Sequence, residues 1–290
     1  MILVIDSLNK HEFPEILDDM FRLRGRVFGG RLGWEVEVTD GREIDAFDRL
    51  DPLYVIGLDE AGHVISCARA LQTTGPHMLA DVFSAILCGE PPLRSANLWE
   101  STRFCVDTER LSLGRGTVKG TVSHATCELM IGSLEYLRGC GITDIVTVID
   151  PVMDRVLKRS NNAPYGYVGE TVPMGKVPAM AALLDTGEER VERVRAFAGI
   201  EGSVFADATA LARLKLREEV LATARAMQGE AATIAVLVDY LDAQLAAART
   251  SHETEAVRLL ARELAAAADG VAAAAATLLP EPPRLTGAAA

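Results

Sequence analysis

Glu100 and Arg103 stand three residues apart in NLWESTRFCVD, a stretch otherwise dominated by apolar and small residues. Arg69 lies near the end of a similarly apolar run, HVISCARAL. A third arginine, Arg24, follows Met20 by four residues and so falls on the apolar face of a helical pattern. Charges in such surroundings are costly unless they pair or meet a ligand. A carboxylate among them is a candidate acid or base. Partners for the arginines are available in the Gly-rich stretch GGRLGWEVEVTDGREIDAFD, which carries Trp34, Glu43, Asp45 and Asp48. One arginine of this kind reads as a surface salt bridge, but several in apolar segments point to a site. In a regular strand Glu100 and Arg103 face opposite sides, whereas a β-bulge between them brings both to one.

Other chemistries have weaker signatures. The five histidines are scattered, with none four residues from another, so no metal site is expected. Cys67, Cys88, Cys105, Cys127 and Cys140 form no C-x-x-C pair and read as reduced thiols. There is no G-x-S-x-G nucleophile elbow. The GRG at 114–116 reads as a turn, with a phosphate-supporting loop as the alternative. A net charge of −12 argues against a general nucleic-acid binder but leaves room for a local basic pocket.

The elements that must position these residues follow from periodicity. Phe13, Ile16, Leu17, Met20, Leu23, Val27 and Phe28 predict a helix over about 12–28. LYVIGL and HVISCARAL, separated by Asp59-Glu60-Ala61-Gly62, read as a hairpin. A strand over 97–107, a helix over roughly 117–138 and the strand DIVTVI form a crossover unit, so part of a mixed sheet is parallel. PVMDRVLKRS reads as a short helix opened by proline, followed by strands near 165–170 and 177–184. Composition then changes: residues 201–290 hold 28 alanines and neither tryptophan. We expect an α/β body over 1–200, an Ala-rich helical extension over 201–279 and a disordered tail over 280–290. Three helices are expected in the extension, at about 207–228, 231–249 and 251–268, the last opened by a Thr250/Glu253 capping box. Ile234, Leu237, Leu241, Leu245 and Ala248, and Val257, Leu260, Leu264 and Val271, are seams of the kind that pack on a partner helix, which makes a homodimer through these helices one expectation. The start, MILVIDSLNKHE, lacks the marks of a signal peptide, and the weakly polar run at 271–279 is too short to span a bilayer, so a cytoplasmic protein is expected.

The ordered set Arg24-x-x-Val27-Phe28, Trp34, Glu43-x-Asp45-x-x-Asp48 resembles the acyl-homoserine-lactone synthases, the autoinducer synthases of bacterial quorum sensing. The segment from Arg69 to Phe83, RALQTTGPHMLADVF, looks like that family's next block, and Trp99-Glu100-Ser101-Thr102-Arg103-Phe104 like the one after it. GITDIVTVIDPVMDRVLKRS and GETVPMGKVPAMAALL extend the likeness to about residue 200, and the last ninety residues lie outside it.

The resemblance implies a mixed-sheet αβα sandwich related to the GCN5-type N-acetyltransferases, followed here by an additional C-terminal helical segment. It implies that S-adenosylmethionine and an acyl thioester, on coenzyme A or acyl carrier protein, are substrates, with no bound cofactor. The methionyl amine is acylated and its carboxylate displaces the sulfonium, giving an acyl-homoserine lactone and 5′-methylthioadenosine. In that frame Glu100 is the expected base for the amine. Phe28 and Trp34 are expected at the adenine or the sulfonium, and Arg103 at the carboxylate or ribose region. Arg24, Glu43, Asp45, Asp48 and Arg69 are expected to form an ion-pair frame. Phe83, Val146, Thr147, Val148 and Met174 are the candidate acyl pocket, and Arg115 and Lys119 the candidate contacts to coenzyme A phosphate. Two other readings stand beside this one: a GCN5-type N-acetyltransferase acting on another amine, and a non-catalytic synthase-like scaffold working through its helical tail.

Overall fold

The computed structural model describes all residues except 112–116, 119–121, 176, 228–230 and 279–290. Two compact units are present, Met1–Leu211 and Ala212–Ala290. The first begins with β1 (Ile2–Ile5) and α1 (Pro14–Arg24). A π-helical turn, Gly25–Arg31, continues α1. A two-stranded ribbon follows, β2 (Val38–Thr39) with β3 (Arg42–Glu43), and then a 3-10 turn, Ala46–Leu50. The central hairpin is β4 (Leu53–Leu58) and β5 (Val64–Gln72), after which come the one-turn helix α2 (Met78–Asp81) and the 3-10 turn Ser84–Leu87.

Next are β6 (Leu98–Val106), α3 (Thr108–Leu111) and the short strands β7 (Thr117–Val118) and β8 (Val122–Ser123). The body then runs through α4 (His124–Gly139), β9 (Asp144–Ile149), α5 (Pro151–Arg159), β10 (Gly166–Met174), β11 (Val177–Asp185) and α6 (Glu188–Ala198). The helix expected over 117–138 thus begins only at His124, where the Ser123 side chain caps the Thr126 amide.

The main sheet has the order β1-β4-β5-β6-β9-β11-β10. Its pairs are antiparallel except β6 with β9, which α4 joins as a parallel crossover. This parallel ladder runs from Leu98↔Asp144 to Ser101↔Thr147, although β6 continues to Val106 and β9 to Ile149. The two strands therefore part at mid-sheet. On one face Val55, Ala68, Ala70, Ile145, Ala182 and Leu184 share a core with α4 and α6. The other face carries α1, whose Phe21 meets Tyr54 of β4 edge-on at 6.0 Å, and the segment around α2. Together the layers make the expected αβα sandwich. At the β1 edge, residues 204–206 add a further pairing: the Ile2 amide donates to Val204 O at 2.7 Å, and the Ala206 amide donates to Ile2 O at 2.9 Å.

The remaining helices are α7 (Ala208–Arg225), α8 (Ala231–Ala247) and α9 (Ser251–Leu278). Val220, Leu221 and Ala224 of α7, Leu241 and Leu245 of α8 and Ala261 of α9 form one buried cluster, with Ile234, Leu237, Val257 and Leu264 packed against it. Most of the two apolar seams is thus used within this unit, and Leu260 lies exposed outside it. The Thr250/Glu253 box is formed, with the Glu253 amide on Thr250 Oγ1 at 3.2 Å and the Thr250 amide on Glu253 Oε2 at 3.0 Å. The Val271 side chain and the expected tail over 280–290 lie outside the described residues.

Candidate active site

Arg24 ends α1 fully buried, and its guanidinium is matched on both edges: Nε donates to Glu43 at 2.6 Å, and Nη1 and Nη2 donate to Asp48 at 2.8 and 2.9 Å. Arg69 on β5 donates through Nη1 to Asp45 at 2.5 Å and to Asp48 at 2.8 Å. Arg103 on β6 donates to Glu43 at 2.9 Å and meets Asp45 at 2.8 Å. Each arginine bridges two carboxylates and each carboxylate bridges two arginines. The result is a closed, alternating ring of six charges that sums to zero. Burial alone would raise the Asp48 carboxyl, but hydrogen bonds and charge from Arg24, with the charge of Arg69, hold it well below the usual range. The Tyr54 hydroxyl completes this corner, donating to Asp48 at 2.8 Å, and Arg69 Nε donates to Thr102 Oγ1 at 3.0 Å.

The anticipated bulge is what carries Arg103 into the ring. Cys67 pairs with Cys105 but Arg69 pairs with Thr102, so Ala68 opposes both Arg103 and Phe104. Arg103 adopts φ 52°, a left-handed conformation that non-glycine residues seldom take. Strain of that kind is typically held at functional sites by surrounding contacts. Here the contacts are two carboxylates and the Phe28 ring, whose centroid lies 5.5 Å from the guanidinium carbon.

Glu100 is fully buried on the same side. Its two oxygens accept from the first amides of α2, Met78 N–H at 2.6 Å and Leu79 N–H at 2.7 Å. Burial pushes its carboxyl up to about 7, against the opposing pull of these two amides and of the Arg69 charge. A carboxyl with a midpoint near neutrality can take a proton and return it.

Phe28 and Trp34 stack with centroids 5.0 Å apart and planes at 30°. The π-helical turn sets this up. The Leu32 amide reaches back to Val27 O at 2.9 Å, and the Trp34 amide to Phe28 O at 2.9 Å. A Cβ on Gly25, where the π turn begins, would stand 2.4 Å from Gly41 O, so only glycine lets the β2–β3 ribbon close onto it. Phe28 is buried, whereas Trp34 is 39% exposed and presents an open aromatic surface beside the ring.

The expected acyl-pocket residues do not all meet. Phe83, Val146, Val148 and Met174 gather in one cluster with Leu79, Ile86 and Ala181. Thr147 lies between two members of that cluster on β9 and opposite Ala182, so strand alternation turns it to the α4 face. Arg115 and Lys119 lie outside the described residues. Met78, Leu79 and Thr102 stand inside the quoted blocks without an expected role, and Tyr54 carries no sequence signal of its own. Among the described residues no cluster of three or more His, Cys, Asp or Glu side chains is arranged to hold a metal. No helix among them is long and apolar enough to cross a membrane.

Residues 7–194 match the autoinducer synthase family. A probable acyl-homoserine-lactone synthase of Sinorhizobium fredii is 37% identical over 194 residues, covering 67% of this chain and 91% of its own. An acyl-homoserine-lactone synthase of Agrobacterium fabrum is 34% identical over 193 residues, with 67% and 90% covered. Among solved structures, the CoA-dependent acyl-homoserine lactone synthase MesI superposes with a TM-score of 0.60 at 27% identity, covering 72% of this chain and 100% of its own. The synthase LasI does so with a TM-score of 0.57 at 27% identity, covering 70% and 98%.

Proposed function

Because the chain belongs to the autoinducer synthase family and is an acyl-homoserine-lactone synthase, we propose that its reaction runs at Glu100, beside the arginine–carboxylate ring. The substrates are S-adenosylmethionine and an acyl thioester, and the products are an N-acyl-homoserine lactone, the signal of quorum sensing, and 5′-methylthioadenosine. The observation that carries this assignment is the setting of Glu100. It is a buried carboxyl with a midpoint near 7, held by two amides where β6 and β9 are about to part.

The methionyl amine of S-adenosylmethionine is protonated near neutral pH and cannot attack until a proton leaves. Glu100 takes that proton, directly or through a water. The free amine adds to the thioester carbonyl, and backbone N–H groups of β6 beyond Ser101 stabilise the oxyanion. Collapse forms the amide and expels the thiolate, which leaves with a proton. The methionyl carboxylate then attacks its own γ-carbon, closing the lactone as the C–S bond breaks and neutral methylthioadenosine departs. This step needs little beyond positioning, because nucleophile and leaving group belong to one molecule. Trp34 and Phe28 offer aromatic faces to the adenine or the sulfonium cation. Arg103 orients the carboxylate or ribose region while its other edge stays fixed by Glu43 and Asp45.

The acyl donor is a thioester of coenzyme A or of acyl carrier protein. An acidic carrier needs a basic docking surface. On α1 and the π-helical turn, Arg22 is engaged by Asp18 and Arg26 by Asp107. Arg155, Lys158 and Arg159 of α5, with Lys158 on Asp154, form the other basic candidate.

The test is mass spectrometry of the protein incubated with S-adenosylmethionine and a panel of acyl-coenzyme A and acyl-carrier thioesters. Methylthioadenosine formed together with a matching lactone, and lost in Glu100→Gln, is the expected result and names the donor. An acylated amine without methylthioadenosine would replace this reading with an ordinary N-acetyltransferase. Undiminished turnover in Glu100→Gln would remove the role of Glu100.

A further inference from the structure

Met78 touches both halves of the site. Its amide donates to Glu100 Oε2 at 2.6 Å, and its thioether sulfur accepts from Arg69 Nη2 at 3.3 Å and Arg103 Nη1 at 3.5 Å. The side chain is 5% exposed. We propose that Met78 is a positioning residue of the reaction, its thioether tying the amides that grip Glu100 to the arginines of the ring. This rests on the reading of Glu100 as the base.

The physical case begins with α2. A four-residue helix has too few hydrogen bonds to hold its own position, so tertiary contacts must place it. Those contacts are the Glu100 carboxylate, the Leu79 side chain packed with Ile86 and Val146, and, toward the ring, the Met78 side chain. The guanidinium donors are charged, which strengthens an otherwise weak sulfur acceptor. The unbranched chain lets the sulfur reach both arginines at once. A shift of α2 away from the ring therefore stretches the two amide bonds on Glu100, and with them the balance between its protonated and ionised forms. Proton affinity at the base and geometry at the ring are coupled through one side chain.

Met78→Leu preserves the volume and removes the acceptor. We expect kcat to fall about tenfold with KM for S-adenosylmethionine within about twofold. The acid limb of the pH–rate profile should move upward, because weaker amide bonds favour the protonated carboxyl. Met78→Gln restores an acceptor on an unbranched chain and should recover most of kcat and return the limb toward its native position. A purely packing role predicts instead that Leu is the better tolerated variant and that neither moves the limb.

The native enzyme supplies a measurement that does not depend on Met78→Leu folding. With 13C-methyl methionine, the Met78 methyl resonance, assigned by its loss in either variant, should titrate with the midpoint of the acid limb. A methyl signal that does not titrate, or a Met78→Leu enzyme with native kcat and native limb, overturns the proposal. Glu100→Gln run alongside separates the two ideas. Full activity there removes the base and the coupling together, whereas lost activity there beside a native Met78→Leu removes the coupling alone.

Discussion

Arg24 and Arg103 share one carboxylate. Arg24 Nε lies 2.6 Å from one oxygen of Glu43 and Arg103 Nη2 lies 2.9 Å from the other. The sharing matters because the arginines come from α1 and β6, which have no backbone ladder between them. Glu43, 1% exposed, is thus a covalent-length spacer between a helix and the strand that carries Glu100. Asp45 and Asp48 repeat the arrangement for the other two arginine pairs. A buried ion pair of this type adds little against an apolar replacement of the whole set, but losing one member strands the rest.

Glu43→Gln should therefore cost stability out of proportion to the atoms changed, on the order of 3 kcal/mol. Urea unfolding of the variant beside the native chain measures it. A difference below about 0.5 kcal/mol, the level of an ordinary surface substitution, would show that the ring relaxes around the change.

Turnover should fall as pH drops through about 7, the midpoint to which burial pushes Glu100, because the protonated carboxyl cannot take the amine's proton. Stability should respond with the opposite sign. Between the ordinary 4.5 and about 7 the folded state holds a proton that the unfolded chain has released, so this group's contribution becomes less favourable as pH rises. Unfolding free energies of native and Glu100→Gln chains across that window should converge toward its acid end and separate toward neutrality, with Gln the more stable.

Trp34→Ala should weaken S-adenosylmethionine binding about tenfold, from lost stacking and lost attraction to the cation, while leaving the fold intact since Trp34 is 39% exposed. Calorimetric titration with S-adenosylmethionine reads this directly. Unchanged affinity would move the adenine elsewhere.

Gly25→Ala should destabilise by about 1–3 kcal/mol, since its Cβ would stand 2.4 Å from a backbone oxygen that cannot swing aside. Gly30→Ala, whose nearest neighbour in the same turn would be 3.9 Å away, is the matched control and should be tolerated. Thermal unfolding of both variants distinguishes a close approach from a general intolerance of the turn.

A chain ending at Leu211 should keep turnover, whereas one ending at Ile200 should lose stability. The shorter chain sheds Val204 and Ala206, whose backbone groups pair with Ile2 on the edge strand. Assays of lactone formation and of unfolding on both truncations check this, and inactivity of the longer one would give the helical unit a part in catalysis.

Much of the site was legible because burying charge leaves a visible mark. Arg24 on an apolar helical face and Arg69 in an apolar strand both required carboxylates, and the stretch from Glu43 to Asp48 held three. The mixed sheet followed from strand-like runs and one helical crossover. What escaped was set by single torsions and by contacts across the chain. The φ of Arg103 decides which side of β6 its guanidinium occupies, and only the need for a bulge hinted at it. Thr147 alternates with the valines beside it, so grouping three consecutive strand residues into one pocket ignored the pleat. The grip of α2 on Glu100 left no periodicity to find, because one helical turn is too short to show any. The need for glycine at position 25, where the π-helical turn begins, comes from the close approach of Gly41 O, far outside any local window.

The ring's three carboxylates all come from one six-residue stretch, while its arginines come from three separate elements. Such a stretch has no partial release. Lifting Glu43 frees two arginines that still hold its neighbours, so the segment leaves its seat as a whole or stays. In hydrogen exchange the amides from Glu43 to Asp48 should open in a single cooperative event, a small foldon latched to three elements at once. Any event that needs this stretch lifted would then run at one shared rate.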